Sequence, residues 1–138
     1  MGLINHIIDT TALLAHYLQG PGAERVHEIL LQDRARIGVS FLSALEMQAK
    51  LTAILQDQAE ARRIAGIYVG QLAKGIEVTR KVTDAALRLR LEFPGRLPII
   101  ASVIAATAQV HRALLVHREP AFDIIPDDLI KQMRLPNA

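Results

Sequence analysis

Cysteine is absent from this chain of 138 residues, and tryptophan is absent as well. Without cysteine the chain can form neither a disulfide framework nor a thiolate metal site, and it suits a reducing cytoplasm. The longest uncharged apolar stretch, residues 97–110, is shorter than the roughly 20 residues that span a bilayer. The first residues also lack the basic stretch, apolar run and cleavage site of a secretory signal. We therefore expect a cytoplasmic protein without a membrane-spanning segment.

A large excess of charge of one sign is missing too. The formal net charge is only +2, which is too small to indicate nucleic-acid binding by its field alone. Basic residues do cluster locally, at Arg62-Arg63, at Arg80-Lys81, and at Arg88, Arg90 and Arg96. Such clusters are typical of solvated helix faces. Contact with phosphates is the alternative if a catalytic site lies on the same surface.

Turn residues divide the chain into short strands that alternate with helices. Hydrophobic residues make up 51% of the sequence, and its length suits a single domain, which we expect to comprise residues 1–138. The predicted strands are residues 5–8, 36–39, 76–78, 113–116 and 124–125. The predicted helices are residues 12–19, 23–33, 40–56, 58–74, 83–92 and 98–110, with Thr83 as the N-cap of the fifth. This order predicts an α/β fold, a three-layer α/β/α sandwich around a mostly parallel sheet.

Acidic residues follow three of the predicted strands. Asp9 comes directly after the first, Glu46 lies one turn into the helix after the second, and Glu119 follows the fourth. Because sites in parallel sheets form beyond the carboxyl ends of the strands, these carboxylates could meet at one edge. Such oxygen ligands suit Mg²⁺ or Mn²⁺. The alternatives stay open for each residue alone: Asp9 as a helix N-cap, Glu46 as an exposed helix residue and Glu119 as a loop carboxylate.

Other chemistries find little support in the sequence. No glycine-rich phosphate loop is present, and the five histidines show no paired metal spacing. Ser40 and Ser43 lack the glycine setting of a nucleophile elbow. His16 and His27 are interpreted as residues of helix surfaces.

Four ordered motifs resemble those of the PIN-domain family, and within it the VapC-like toxins of toxin–antitoxin pairs. Residues 7–15 (IIDTTALLA) resemble the opening motif, and residues 39–46 (VSFLSALE) resemble the second, which ends in a metal-site glutamate. Residues 97–98 (LP) with 104–108 (IAATA) match the third, and residues 114–122 (LLVHREPAF) resemble the last. Together the motifs cover nearly the whole chain.

The resemblance implies a PIN-like fold and Mg²⁺- or Mn²⁺-dependent cleavage of RNA. It also implies a homodimer and a cognate antitoxin protein as partner. By resemblance, Asp9 and Glu46 are metal ligands and Thr11 orients the site with its hydroxyl. Glu119 stands where the last motif has aspartate, so it keeps the charge and assists at the edge of the site.

Position 101 departs from the family pattern, because Ala101 stands where the third motif has aspartate. The neighbouring Ser102 offers only a neutral oxygen. We therefore expect weak Mg²⁺ binding, since Mg²⁺ requires near-ideal octahedral geometry. The leading hypothesis is a metal-dependent endoribonuclease toxin. The alternatives are a PIN-fold module that no longer cleaves and acts through protein or RNA contacts, and an unrelated α/β domain.

Apolar side chains on the long helices motivate the expected homodimer, since they exceed what one small core needs. The residues expected to meet a partner, at least in part, are Ile54, Leu55, Ile64, Ile67, Tyr68 and Leu72. The alternative is that all of them face the core of their own chain.

Overall fold

The structure is a computed structural model that describes residues 3–137. Among these residues, five strands form one sheet in the order β3-β2-β1-β4-β5, with every neighbouring pair parallel. The strands are β1 (His6–Ile8), β2 (Ile37–Ser40), β3 (Lys74–Ile76), β4 (Leu114–His117) and β5 (Gln132–Arg134). The α-helices of the described range are α1 (Thr10–Leu18), α2 (Ala23–Leu30), α3 (Phe41–Leu55), α4 (Gln58–Ile67), α5 (Arg80–Glu92) and α6 (Ile99–His111).

Helices cover both faces of the sheet because successive strand residues point to opposite sides. Ile7 and Leu115 pack with buried residues of α5 and α6. Ile8 and Val116 pack on the other side, with buried residues of α1 to α4. The result is the expected three-layer α/β/α sandwich. No helix within residues 3–137 is both long enough and apolar enough to cross a membrane.

The predicted positions of the third and fifth strands are wrong, and so is the predicted N-cap of the fifth helix. The predicted helix of residues 58–74 ends at Ile67 and continues as a π-helical turn, Tyr68–Leu72, so the chain is already extended at Lys74 and β3 begins there. The N-cap of α5 is Thr79, whose Oγ1 accepts a hydrogen bond from the backbone N of Val82 at 3.3 Å. The fifth helix therefore begins before Thr83.

The fifth strand also lies elsewhere than predicted. Ile124 ends a 3-10 turn, Pro120–Ile124, and β5 follows eight residues later. The strand is short and only partly buried at the edge of the sheet. Its three residues, Gln132-Met133-Arg134, include a single apolar side chain, and this alternation is too short to indicate a strand.

Gly38 lies in β2 beneath three isoleucine side chains. A Cβ atom at this position would lie 2.8 Å from Ile7 Cδ1, 3.0 Å from Ile76 Cγ1 and 3.2 Å from Ile4 Cγ2. These side chains belong to the core and have little room to move. We predict that Gly38→Ala lowers the free energy of unfolding by about 1–3 kcal/mol through overpacking, measured by urea denaturation.

Gly66 provides the matched control, because a Cβ atom added there would meet nothing within 4 Å. The residue is exposed in α4. Gly66→Ala should raise the free energy of unfolding by roughly 0.5–1 kcal/mol, since alanine favours the helix. Equal effects of the two substitutions would contradict the assigned packing around β2.

Candidate functional site

Asp9 lies where β1 passes into α1, and its side chain is only 2% exposed. Its Oδ1 atom accepts hydrogen bonds from the Ala12 backbone N at 2.9 Å and from Thr11 Oγ1 at 2.7 Å. Asp9 is therefore the N-cap of α1, one of the alternatives left open by the sequence. Both donors use the same oxygen, so the cap does not occupy Oδ2. Capping and ligand binding are compatible at this residue.

Thr11 connects Asp9 to the end of β4. Its hydroxyl donates to Asp9 and accepts a hydrogen bond from the Arg118 backbone N at 2.9 Å. Since the hydroxyl has one proton, the bond from Arg118 leaves that proton directed towards the carboxylate. The contact fixes the start of α1 against the segment that leads to Glu119.

Glu46 is held by Thr10, a residue that the sequence interpretation passed over. Thr10 is buried, and its Oγ1 donates to Glu46 Oε1 at 2.5 Å. Glu46 itself is half-buried on α3, which is N-capped by Ser40 at the end of β2. The two adjacent threonines at the start of α1 thus donate to two different carboxylates. Their placement directly after Asp9 was the sequence feature that could have revealed this.

Glu119 is the N-cap of the 3-10 turn that follows β4. Its Oε2 accepts from the Ala121 backbone N at 3.2 Å, and its own backbone N donates to His117 Nδ1 at 3.0 Å. Burial lowers the pKa of His117, which favours the neutral ring. With Nδ1 accepting, Nε2 carries the proton and donates to Gln132 Oε1 at 2.8 Å. This chain of bonds fixes the position of Glu119 from the side of β5.

Asp9, Glu46 and Glu119 line one cleft of about 450 Å³ at the carboxyl ends of the strands. Ala101, at the start of α6, lines the same cleft. The structure thus brings together the residues that the sequence placed at strand ends. The full lining is Asp9, Thr10, Thr11, Glu46, Lys50, Pro98, Ile99, Ile100, Ala101, Ile104, Glu119 and Phe122.

Lys50 is a further cleft residue that the sequence did not single out. It lies one turn after Glu46 on the same face of α3, as spacing i,i+4 requires, and it is exposed. Ile99 and Ile100 are 63% and 40% exposed on the α6 side. The cleft therefore has carboxylates on one wall, isoleucines on another and a cation beside them.

Two further residues with side-chain oxygens, Ser102 and Asp123, do not line this cleft. Ser102 is buried, and its hydroxyl donates to the Ile99 backbone O at 2.5 Å within α6. Asp123 is exposed and forms an ion pair with Arg134 at 3.3 Å. Neither side chain supplies an oxygen to the cleft beside Ala101.

The electrostatics of the cleft favour a cation. Burial raises the pKa of Asp9 to about 7, although the hydrogen bonds from Thr11 and Ala12 act in the opposite direction; the charges of Glu119 and Glu46 raise it further. A cation beside these groups would offset both the burial and the repulsion.

The donor set fits Mg²⁺ or Mn²⁺ in kind, because carboxylate oxygens suit hard divalent ions. Within residues 3–137, however, no three His, Asp or Glu side chains are arranged to hold one ion. Mg²⁺ commonly binds through one or two carboxylates and keeps several waters. The site therefore fits a partly hydrated ion held by few protein ligands.

Comparison with known proteins supports this fold. The model of the PIN domain family matches residues 6–127. A search of curated proteins found no significant match. Among solved structures, VapBC2 from Rickettsia felis, bound to a DNA fragment from its promoter, is similar at 18% identity and a TM-score of 0.75, covering 96% of this chain and 100% of that chain.

Two further solved structures share the fold. VapBC-1 from nontypeable Haemophilus influenzae matches at 18% identity and a TM-score of 0.73, covering 95% of this chain and 98% of that chain. VapC20 from Mycobacterium tuberculosis, described as a toxin that cleaves the sarcin–ricin loop, matches at 13% identity and a TM-score of 0.69, covering 87% and 94%. The resemblance to VapC-like proteins is thus confirmed at the level of the fold.

The raised pKa of Asp9 predicts an unusual pH dependence of stability. The pKa is 3.8 for a free side chain and about 7 in the folded, metal-free protein, so folding favours the protonated form. The stabilisation is complete below the lower value and is lost as the pH rises through about 7. We predict that the contribution of Asp9 to the free energy of unfolding falls by about 2–3 kcal/mol between pH 5 and pH 8.

Asp9→Asn is the matched variant, because asparagine can cap α1 without titrating. Urea denaturation in the presence of a chelator measures both proteins at each pH. The difference between their stabilities should change with pH, and Mn²⁺ should reduce that change in the parent protein alone. Parallel pH profiles would show that Asp9 is already ionised at pH 5.

Proposed function

Because the chain belongs to the PIN domain family, we propose that it is an endoribonuclease that depends on Mg²⁺ or Mn²⁺. We propose further that it is the toxin of a toxin–antitoxin pair. Nuclease activity in general is what the family supports. The metal requirement, the RNA substrate and the toxin role are the finer parts of this proposal.

The observation that carries the proposal is the meeting of Asp9, Glu46 and Glu119 in one cleft. The side chains come from three separate segments of the chain, and backbone or hydroxyl donors orient each of them. An arrangement of caps with no further role would not require the three carboxylates to share one cleft. Repulsion between like charges would favour their separation.

Asp9 and Glu46 would hold the cation, and Glu119 would assist at the edge of the cleft. When bound, such an ion supplies positive charge to the phosphate oxygens and lowers the pKa of water. Thr10 and Thr11 would keep the carboxylates in place through their donated hydrogen bonds. Orientation by such neighbours matters because their loss commonly lowers metal affinity or activity 10–100-fold.

Lys50 and the exposed isoleucines would guide RNA to the carboxylates. The Lys50 ammonium lies beside the acidic wall and can neutralise a phosphate of the backbone. The side chains of Ile99 and Ile100 offer an apolar surface for unstacked bases. A single-stranded or looped RNA would suit this cleft better than a duplex.

An antitoxin protein is the proposed partner. The supporting comparisons are complexes described as VapBC from Rickettsia felis and from Haemophilus influenzae. The cytoplasmic location expected from the cysteine-free sequence stays a prediction.

A homodimer is also proposed, and the six residues of which some were expected to meet a partner differ in their exposure. Ile64 and Tyr68 are buried in the core of their own chain, and Leu55, Ile67 and Leu72 are half-buried. Ile54 is 55% exposed. Other large exposed apolar side chains form the pairs Phe41–Leu45 on α3 and Leu87–Leu91 on α5, and Ile99 and Ile100 are exposed on α6. The α3 pair and the α5 pair each have i,i+4 spacing and form an apolar ridge, so these two ridges are the proposed dimer surface.

The alternative function is a PIN-fold module that binds RNA or protein without cleaving. Ala101 favours it, because a methyl group lines the cleft where the third motif has aspartate. The lack of a three-ligand cluster within residues 3–137 favours it as well. Both proposals place the ligand in the same cleft, so only a cleavage assay separates them.

The test is cleavage of a labelled single-stranded RNA with Mn²⁺. We predict slow cleavage by the parent protein, none above background by Asp9→Asn, and faster cleavage by Ala101→Asp. The added carboxylate should strengthen metal binding by about 10–100-fold, by analogy with other groups that support metal sites. Calorimetric titration with Mn²⁺ measures that change directly.

Asp123→Asn serves as the control, since this carboxylate is exposed, ion-paired and outside the cleft. It should cleave as the parent protein does. RNA binding without cleavage by both the parent and Ala101→Asp would favour the binding module. Residual cleavage by Asp9→Asn equal to that of the parent would refute the site.

The dimer proposal predicts that Leu87→Asp with Leu91→Asp gives a monomer. Charges introduced on this ridge of α5 would have to be buried in the interface, which is unfavourable. Light scattering at micromolar concentration should report twice the monomer mass for the parent. Leu31→Asp, on an exposed leucine beyond α2, should remain a dimer. A parent protein of monomer mass would contradict the proposal.

A further inference from the structure

A pair of histidines lies between α1 and α2, and neither residue lines the acidic cleft. The rings of His16 and His27 meet edge to edge and are nearly parallel, with centroids 5.4 Å apart and planes within 9° of each other. His16 Nε2 and His27 Nδ1 face each other at 3.2 Å. The pair could not be predicted from the sequence, because the two residues are on different helices and lack a short spacing.

Tyr68 fixes the ring of His16 from the other side. Its hydroxyl lies 2.5 Å from His16 Nδ1, and its ring is buried and edge-on to the imidazole. Metal-binding histidines usually have such a partner on their second nitrogen, which sets the ring orientation and the tautomer. A hydroxyl can serve either tautomer, since it both donates and accepts.

A proton or a metal cation must lie between the two facing nitrogens. Two imidazole lone pairs at this distance repel each other unless a proton or a cation lies between them. In the metal-free protein one proton is sufficient, as an N–H···N hydrogen bond. If His16 carries its proton on Nδ1 instead, Nδ1 donates a hydrogen bond to the Tyr68 hydroxyl oxygen, and with His27 protonated on Nε2 both facing nitrogens have free lone pairs.

We propose that His16 and His27 form a binding site for a divalent transition ion of the zinc class. Two nitrogen ligands at 2.0–2.1 Å from a tetrahedral ion are about 3.3 Å apart, close to the observed 3.2 Å. Imidazole nitrogens suit Zn²⁺, Cu²⁺ and Ni²⁺. Because His27 is exposed, water can complete the coordination. The ion would join α1 to α2 across the turn at residues 19–22.

The proposed site differs from the acidic cleft in both ligands and preferred ion. Two nitrogens favour borderline ions over Mg²⁺, whereas carboxylates favour hard ions. Two protein ligands also bind more weakly than the three or four of most zinc sites. We therefore expect a site that exchanges its ion and stabilises the protein when loaded.

Calorimetric titration of the untagged protein with ZnCl₂ tests the proposal. The parent and Asp9→Asn should both bind one ion at the histidine pair. His16→Gln and His27→Gln should each bind at least tenfold more weakly, and Tyr68→Phe about tenfold more weakly through loss of the orienting bond. His111→Gln, a half-buried histidine of α6, is the matched control and should bind as the parent does.

Cu²⁺ provides a second measurement that does not depend on affinity alone. Its electron paramagnetic resonance spectrum should show coupling to two nitrogens in the parent and to one in His27→Gln, an exposed position whose substitution should preserve the fold. Zinc affinity that is unchanged in His27→Gln would overturn the proposal. Loss of all zinc binding in Asp9→Asn would overturn it too, because the ion would then belong to the acidic cleft.

Discussion

The Asp9 carboxylate lies buried where the central strand β1 passes into α1, and two other carboxylates share its cleft. A buried charge is unfavourable without a partner, and neighbouring charges of the same sign add to the penalty. The hydrogen bonds from Thr11 and Ala12 offset part of it, but the pKa still rises to about 7. The electrostatic energy of the carboxylates in the cleft is therefore unfavourable, and a bound cation would lower it. Affinity for a cation and loss of stability without one have the same cause.

The parallel sheet is what imposes this arrangement. β2 and β4 lie on either side of β1. Because the three strands are parallel, the residues that follow them all lie at the same edge of the sheet. Thr10 and Thr11 then connect the start of α1 to Glu46 on one side and to the Arg118 backbone on the other. The helix start is therefore cross-linked to both neighbours of β1. This network fixes the carboxylates before any ligand arrives, so binding need not order them.

The sequence predicted those features of the structure that depend on local residue patterns. Alternation of strands and helices predicts the layers, and acidic residues after β1, β2 and β4 predict the cleft. The sequence did not predict the features that depend on contacts between distant segments of the chain. β5 is an edge strand with polar ends, and the π-helical turn before β3 shifted that strand from its predicted place. The histidine pair cannot be predicted from the sequence, because its nitrogens come within 3.2 Å of each other only through the packing of α1 against α2. Ile64 and Tyr68 were among the residues of which some were expected to meet a partner, but both lie in the core, because helical periodicity alone does not tell which neighbour covers a face.

The residue at position 101 affects two opposing properties of the cleft: its affinity for a cation and the repulsion between its carboxylates. A carboxylate there would add a ligand, but it would also add repulsion beside Asp9, whose pKa is already raised by burial and, to a smaller extent, by Glu119 and Glu46. Without that carboxylate, the metal-free protein bears less repulsion and the cation is held less tightly. The same methyl group extends the apolar wall formed by Ile99 and Ile100. Position 101 therefore shifts the cleft from cation binding towards apolar contact.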